Sequence, residues 1–347
     1  HTLPNSFRGY FDGNNHTVDN LNITITANTP VYVGLFGYVQ NGSIKNLNII
    51  GNSEINIVRS STVTYYVGSI AAYLLNSEII NCSSEADIYV DRASTSATAF
   101  DIYLGGICGY TSGVLSIIDS VLSKGTIDYK FNLKSSSTSN VQCRHYIGGV
   151  IGYMASGATL SNAGHVNPIN IKSDLEGCIK SSLIYSGGVV GYMTGTSTYP
   201  ITVQKCYNLG NMNIDMNTYH TYNGSSYALT TTLNAGGIAG YSSLYNTLTD
   251  CYNRGNIIPI SYAQYLSSGT AYAINNCYVA GILGIVPGTT TFITVANSYN
   301  TGSVPVSCAT SGNGTHNYYD DAIVYQNSSY SAINCYYLNS CCVTNGH

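Results

Sequence analysis

The sequence of 347 residues contains no tryptophan and very few charged residues. Lys and Arg total 12 and Asp and Glu total 16, so 8% of the chain is charged, against about 25% in a typical soluble domain. The net charge of −4 argues against nucleic acid as a partner, because binding phosphates requires clustered Lys and Arg. Polarity comes instead from Ser, Thr, Asn and 33 Tyr, together with 36 Gly.

Long apolar runs are also missing. None reaches the roughly 18 residues that a membrane-spanning helix needs, so we expect no membrane insertion within this chain. The charged-then-apolar pattern of a signal peptide does not follow His1. We therefore expect any signal peptide to have been removed, and any membrane attachment to lie outside this sequence.

The strongest positive feature is a repeated box of Gly, two apolar residues, Gly or Ala, and Tyr. Its copies begin at Gly34, Gly68, Gly106, Gly149, Gly188, Gly237 and Gly281, which are 34 to 49 positions apart. The copy at Gly68 is interpreted as stretched, and the copy at Gly281 ends in Ile285 instead of Tyr. Seven ordered copies predict a solenoid with one coil per repeat.

A second box, Cys-Tyr-Asn-x-Gly, follows the first and is clearest from Cys206 and from Cys251. Aligning the repeats on it predicts a core column of small residues, namely Cys82, Ser120, Ala163, Cys206, Cys251, Ser298 and Cys335. Buried thiols there would act as small apolar groups. Free thiols are favoured over a Cys206–Cys251 bond, because parallel stacked side chains rarely have disulfide geometry.

A third segment of each repeat alternates apolar and polar residues, as in 54–57 and 87–90, and this is a strand pattern. Three short strands in one repeat cannot bury an apolar face alone. Stacking the equivalent strands of successive repeats about 4.8 Å apart buries a continuous core. The predicted fold is an all-β, right-handed parallel β-helix of about eight to nine coils. Long loops are expected at one corner.

These boxes resemble the GLUG motif, a repeat of bacterial surface adhesins and of regions beside the catalytic part of some immunoglobulin A proteases. The segment 7–18 resembles the start of such arrays, and 334–337 resembles their end. The resemblance implies a β-helix of surface proteins and no activity of its own. One β-helix domain over 1–347 follows, with an N-terminal coil (1–33), GLUG-like repeats (34–306) and a C-terminal partial coil (307–347).

The connections from the third segment to the next first box vary most in length, at 58–66, 91–104, 130–147, 172–186, 213–235 and 261–279. Insertions confined to one corner often form the binding face of a solenoid. The predicted binding edge contains Tyr65, Tyr66, Tyr219, Tyr222, Tyr227, Tyr262, Tyr265 and Tyr272. Tyr offers broad contact area with a polar tip. The alternative is that these side chains only cover the coil edge.

Eleven cysteines and seven Asn-X-Ser/Thr sites suggest secretion to the extracellular space or cell surface. The candidate glycosylation sites are Asn15, Asn22, Asn41, Asn81, Asn223, Asn313 and Asn327. The candidate disulfide residues are Cys143, Cys178, Cys277, Cys308, Cys341 and Cys342. Their connectivity does not follow from the sequence, and the odd cysteine total leaves a thiol for a contact between chains.

Catalytic and metal-binding patterns are absent, including His-Glu-x-x-His, Gly-x-Ser-x-Gly and paired Cys-x2-Cys units. Asp119 and Asp250 are assigned equivalent positions three coils apart, about 14 Å, too far for a glycosidase pair. We expect a non-catalytic surface rod without metal or cofactor. Its expected partners are copies of itself, stacked end to end or side by side, or flanking domains. The alternatives are an adhesin for a glycan or host protein and, less favoured, a polysaccharide-degrading β-helix enzyme.

Overall fold

The computed structural model describes residues 5–25, 31–60, 63–94, 99–135, 141–177, 180–220, 228–265, 272–287, 292–305, 309–326 and 330–338. Within these ranges every regular element is a β-strand. No helix that could cross a membrane occurs among the described residues.

The strands follow one another in repeating coils. The first partial coil and the two after it contain β1 Tyr10–Asp12, β2 Thr17–Asp19, β3 Asn22–Ile25, β4 Val31–Val33, β5 Phe36–Gln40, β6 Ser43–Lys45, β7 Asn48–Ile50, β8 Glu54–Ser60, β9 Tyr65–Gly68, β10 Ala71–Leu75, β11 Glu78–Ser84, β12 Asp87–Ser94 and β13 Asp101–Gly105. The next three contain β14 Cys108–Ser112, β15 Ile117–Ser123, β16 Ile127–Ser135, β17 Val141–Gly148, β18 Ile151–Ala155, β19 Thr159–Ser161, β20 Gly164–His165, β21 Ile169–Gly177, β22 Lys180–Gly187, β23 Val190–Thr194, β24 Ile201–Gln204, β25 Tyr207–Asn208, β26 Met212–His220 and β27 Ala228–Gly236. The last coils contain β28 Ala239–Ser243, β29 Tyr245–Thr249, β30 Tyr252–Asn253, β31 Ile257–Tyr265, β32 Tyr272–Ala280, β33 Leu283–Val286, β34 Phe292–Ala296, β35 Tyr299–Asn300, β36 Ala309–Ser311, β37 Thr315–Asp321, β38 Val324–Gln326, β39 Tyr330–Ile333 and β40 Tyr336–Tyr337.

These strands form four parallel sheets, here called faces A to D, and the chain visits them in that order in each coil. Face A contains β5, β10, β14, β18, β23, β28, β33 and β38, and face C contains β3, β8, β12, β16, β21, β26, β31 and β36. Face D contains β4, β9, β13, β17, β22, β27, β32 and β37, and face B contains the other sixteen strands. The predicted all-β fold, a parallel β-helix, is confirmed.

The prediction of three strands per repeat was wrong, because a fourth face was missed. Much of the sequence predicted as corner connections belongs to the ends of face C strands and to the strands of face D. In β16, Phe131 and Leu133 are fully buried while Asn132 between them is exposed. In these strands every second side chain points inward, so faces C and D continue beyond the central core.

Inside the rod, equivalent apolar side chains stack in columns. Ile44 pairs with Ile79, and Ile79 with Ile118, and all three are at most 1% exposed. The column continues through Leu160, Val203, Leu248 and Val295. Burying one such side chain stabilises the fold by about 1.5–3 kcal/mol. Because each coil supplies only a thin layer, the coils depend on one another for this burial.

Face B bends sharply in every coil at one residue with left-handed backbone conformation. These residues, with φ between 49° and 56°, are Asn46, Asn81, Ser120, Asn162, Lys205, Asp250, Asn297 and Asn334. Asn adopts this region more readily than other non-glycine residues, because its short amide bonds locally. The residue that follows each bend points into the core.

The register at this bend corrects two alignments made from the sequence. Cys82 pairs with Val121, so Val121 and not Ser120 belongs to the buried column, and Ser120 is exposed at the bend. Asp250 also lies at a bend, whereas Asp119 precedes one, so these two are not equivalent. A shift of one residue turns a strand side chain to the opposite face.

Cysteine and serine recur in the buried column because each adds a hydrogen bond across the bend. The thiols of Cys82, Cys206 and Cys251 each donate to the carbonyl two residues earlier at 3.2 Å, and the Ser298 hydroxyl does so at 2.9 Å. Val121 and Ala163 fill the same position without a donor. The position therefore tolerates apolar residues without a donor, and Cys or Ser adds a bond to the neighbouring carbonyl.

An internal column of asparagines explains the Asn of the second box. Asn208, Asn253 and Asn300 are fully buried, and each side-chain amide donates to the carbonyl two residues later, at 2.9–3.0 Å. Asn208 also donates to the Asn253 carbonyl oxygen at 2.9 Å, and Asn253 to that of Asn300 at 2.8 Å. The hydrogen-bonding capacity of these buried amides is therefore used along the rod axis.

The first box is physically coupled to this asparagine column. A Cβ at Gly188 would overlap the amide of Asn208, and one at Gly237 would overlap that of Asn253. In the coil with Ser69 at the glycine position, the column contains the smaller Ser84. The copy at Gly68 is consequently not stretched, since Gly68 pairs with Gly105 in the same register as later copies.

We expect Asn253→Ala to lower the free energy of unfolding by about 1–3 kcal/mol, because the amide of Asn208 and the Gly255 carbonyl each lose a partner. Chemical denaturation followed by circular dichroism measures the change. The control is Asn213→Ala, which removes an exposed side chain that bonds Asn170 at 2.7 Å. Equal effects of the two substitutions would contradict the role of the buried column.

Candidate functional site

Two columns of tyrosines run side by side where face D meets face A, and together they are called the double tyrosine ladder. Its members are Tyr32, Tyr66, Tyr103, Tyr146 and Tyr185 on face D and Tyr38, Tyr73, Tyr110, Tyr153, Tyr192 and Tyr241 on face A. Rings stack within a column, with Tyr66 and Tyr103 4.7 Å apart at 5°. Between columns the rings meet edge to face, with Tyr103 and Tyr110 5.2 Å apart at 85°.

The ladder stabilises the rod and gives its surface a defined chemistry. Each aromatic pair contributes about 0.5–1.5 kcal/mol beyond its buried area. Stacked rings cover one another's faces, so Tyr38, Tyr146 and Tyr185 are buried and the other members are half-buried. Burial raises the pKa of Tyr110 to about 12, and it raises the pKa of Tyr103 and Tyr146 further still. The phenols therefore stay protonated at physiological pH.

Sequence reasoning missed this ladder, although a signal was present. In four consecutive coils a face D tyrosine precedes the face A tyrosine with six residues between them, beginning with the pair Tyr66 and Tyr73. The spacing places both rings on the outside of the same corner. The sequence marks only the tyrosine of the first box as a repeated feature, because the face D tyrosines, including Tyr66, fall in the variable connections.

The predicted binding edge is only partly a surface. Tyr65 was wrongly placed there, since it is fully buried and its ring lies 4.6 Å from the Arg92 guanidinium. Tyr66 belongs to the ladder, and Tyr219 and Tyr262 are half-buried neighbours whose rings are 4.9 Å apart. Tyr222 and Tyr227 lie outside the described residues, as do the side chains of Tyr265 and Tyr272.

The cysteines of the column are free thiols in this structure, and Cys82, Cys206 and Cys251 are buried. Burial raises the pKa of Cys82 to about 11, and that of Cys206 is raised too. Cys143 and Cys277, predicted as disulfide candidates, lie on face D with buried side chains. The other candidates, Cys178, Cys308, Cys341 and Cys342, fall outside the described residues. The predicted disulfides stay a prediction.

Five of the predicted glycosylation sites lie within the described residues, and all five asparagines are exposed: Asn15, Asn22, Asn41, Asn81 and Asn313. The amide of Asn81 donates to Asn46 at 2.7 Å. Asn223 and Asn327 lie outside the described residues. Exposure is what modification of an acceptor requires, and occupancy stays a prediction.

Most lysines of the described surface pair with a carboxylate of the neighbouring coil. The six ion pairs among the described residues are Lys45–Glu78, Lys124–Glu85, Lys130–Asp91, Lys134–Glu176, Arg144–Asp101 and Lys172–Asp215. In the same part of the chain, no three His, Cys, Asp or Glu side chains come together as a metal site would require. The scarce charges are thus arranged in cross-coil pairs.

A groove on face B of the first four coils has a volume of about 530 Å³. Its lining residues are Arg8, Gly9, Tyr10, Asn41, Gly42, Ser43, Asn76, Glu78, Leu115 and Ile117. Tyr10, Ser43, Glu78 and Ile117 are successive members of one outward-facing column. The groove therefore runs along the rod axis, across the strands.

The four parallel faces, the buried asparagine column and the stacked tyrosines define a parallel β-helix with in-register side-chain ladders. The profile of the GLUG motif matches residues 63–89, which span β9 to the start of β12. Residues 63–89 therefore carry a GLUG motif, as the repeated boxes predicted. Comparisons with curated proteins and with solved structures gave no significant match.

Tyrosine ionisation should be coupled to unfolding at high pH. Folding raises the Tyr110 pKa from 10.0 to about 12, so this contribution to stability is complete below pH 10 and is lost as the pH rises towards 12. We expect ultraviolet absorbance titration to show ladder tyrosines ionising only as circular dichroism is lost. Tyr110→Phe should weaken the alkaline dependence, whereas Tyr199→Phe, at an exposed position, should not. Ionisation of nearly all tyrosines in the folded state would contradict the ladder.

The buried thiols Cys82, Cys206 and Cys251 should resist alkylation in the folded protein, because the reagent cannot reach a buried sulfur atom unless the column opens. We expect iodoacetamide to leave Cys82, Cys206 and Cys251 unlabelled until denaturant is added, as read by peptide mass spectrometry. Cys335, partly exposed in the last coil, is the internal control and should react first. Equal labelling rates at all four would show that the column opens readily.

Proposed function

We propose that this GLUG-motif β-helix is an extracellular, non-catalytic rod that presents a regular surface. The observation that carries the proposal is the continuous register of the side-chain columns, inside and outside, over the described coils. The double tyrosine ladder covers one corner with buried and half-buried rings, and burial raises the pKa of phenols such as Tyr110. Such an exterior suits a protein that presents its surface to other molecules.

The hydrogen bonds and ion pairs made by the carboxylates support the non-catalytic part of the proposal. Glu78 bonds both Lys45 and Ser43, and Asp119 accepts hydrogen bonds from Ser161, Asn162 and Ser120. Carboxylates tied to neighbouring side chains hold coils together and are poorly placed to exchange protons with a substrate. A catalytic pair would instead need two carboxyl groups about 5–9.5 Å apart across a cleft.

The extracellular part of the proposal is supported by composition and exposure. The five described acceptor asparagines are all accessible. An exterior with few charges, dominated by Tyr, Ser, Thr and Asn, is uncommon among ordinary soluble domains.

We further propose that rods stack end to end, since the columns would continue in register across a junction between two copies. Raising the concentration should then give filaments one rod wide in negative-stain images. Ile333→Lys, at an exposed position on the outermost described strand of face B, should suppress them. Ile258→Lys, exposed to a similar degree on face C, is the control and should not. Monodisperse rods at all concentrations would contradict stacking.

An adhesin module is the second candidate function, and the groove on face B favours it. The groove lies outside the regular ladders and combines an exposed ring, amides and an apolar wall. These groups could recognise a ligand without any catalytic step.

A further inference from the structure

We propose that the groove on face B binds a short, neutral oligosaccharide that lies along the rod axis. This inference rests on the proposed function as a surface module and deepens it by naming a site and a ligand class. It is carried by the shape of the groove, one exposed aromatic ring, a carboxylate already paired with Lys45, and side-chain amides that bond no other described residue.

The groove has the dimensions of a site for a short linear ligand. Tyr10, Ser43, Glu78 and Ile117 occupy successive strands, so the outward column spans three steps of about 4.8 Å, or about 14 Å. The volume of about 530 Å³ lies within the range of small-molecule sites, about 300–1,000 Å³. A ligand aligned with the axis meets a different side chain at each coil.

Tyr10 supplies an accessible ring, which the double tyrosine ladder cannot do. Rings of the ladder stack on one another, whereas Tyr10 is 65% exposed and its ring neighbour is the Lys45 ammonium, 5.7 Å from the centroid. The C–H face of a sugar ring packs on such an exposed aromatic face. At the other end, Leu115 and Ile117 are 65% and 37% exposed and give an apolar wall.

The charged side chains of the groove already make hydrogen bonds within the rod, and its carboxylate, Glu78, is paired with Lys45. The Arg8 guanidinium donates to Gln40 at 2.9 Å and to Ser6 at 3.0 Å. Glu78 accepts from Lys45 at 2.9 Å and from Ser43 at 3.2 Å. A cationic ligand would have to compete with Lys45 for Glu78, whereas sugar hydroxyls can accept from the remaining N–H groups of Arg8 and donate to the Glu78 carboxylate.

An extended peptide cannot bind here as an added strand, because the backbone N–H groups of the groove residues already donate hydrogen bonds within the rod. The donors and acceptors are Asn41 to Leu75, Gly42 to the Ser77 hydroxyl, Ser43 to Gly9, Asn76 to Ser112, Glu78 to Gly42 and Ile117 to Ser77. Strand addition needs free backbone groups at a sheet edge. Recognition must therefore come from side chains.

Two side chains have their hydrogen-bonding capacity available for that purpose. The side-chain amides of Asn41 and Asn76 make no hydrogen bond to another described residue, and both line the groove. An amide offers two donors and an acceptor, which matches the paired hydroxyls of a sugar. An aromatic ring, two amides, an apolar wall and a carboxylate already paired with Lys45 are a set suited to a neutral glycan.

The test uses the full chain made in a host that adds no N-glycans, because Asn41 is itself an acceptor and a covalent glycan there would fill the groove. An array of short chito-, manno-, gluco- and galacto-oligosaccharides identifies a binder, and calorimetry measures its affinity. We expect Tyr10→Ala and Asn76→Ala each to weaken binding by about tenfold or more, equivalent to about 1.4 kcal/mol. Tyr10→Phe should retain most of the affinity.

Tyr336→Ala is the matched control, since Tyr336 is 67% exposed on the same face in the last described coil and should not affect binding. An unchanged unfolding midpoint for Tyr10→Ala excludes misfolding. Failure of every neutral probe to bind, or binding indifferent to Tyr10 and Asn76, overturns the proposal. So does binding of acidic polysaccharides alone that vanishes with added salt. These results leave the rod and its stacking untouched, because filaments are measured separately.

Discussion

Everything in this rod depends on parallel backbone pairing in register between one coil and the next. When the strands of neighbouring coils pair at about 4.8 Å, each residue lies directly above the equivalent residue of the next coil. This spacing favours side chains that can stack on a copy of themselves. Isoleucine does so through burial, asparagine through amide bonds and tyrosine through its ring. The recurrence of residue types down a column is the chemical consequence of that spacing.

The fold could be predicted from the sequence because this constraint makes the same residue types recur at regular intervals along the chain. The repeated boxes at Gly188 and Gly237 and the asparagines at 208 and 253 recur together because each glycine makes room for an amide. Alternation in segments such as 54–57 marked face C correctly. The GLUG resemblance was confirmed over residues 63–89.

The predictions were wrong where nothing in the sequence indicates the register of one strand against the next. Ser120 is chemically similar to the residues of the small column, and only pairing of Cys82 with Val121 places it outside. Tyr65 and Tyr66 are adjacent and identical, yet strand alternation sends one into the core and the other into the ladder. The groove could not be predicted, because Tyr10, Asn76 and Leu115 are distant in sequence and belong to no repeated box.

The bend at Asn46, Asn81 and their equivalents has a mechanical consequence. Each bend keeps the polypeptide within one coil, so the hydrogen bonds between coils lie nearly parallel to the long axis. Tension spread across a whole end coil is shared by all the bonds of that coil at once. Tension applied through one chain terminus would instead peel the outermost coil bond by bond. Such a rod would be strong where attachment is broad and would unravel progressively where attachment is to a single strand.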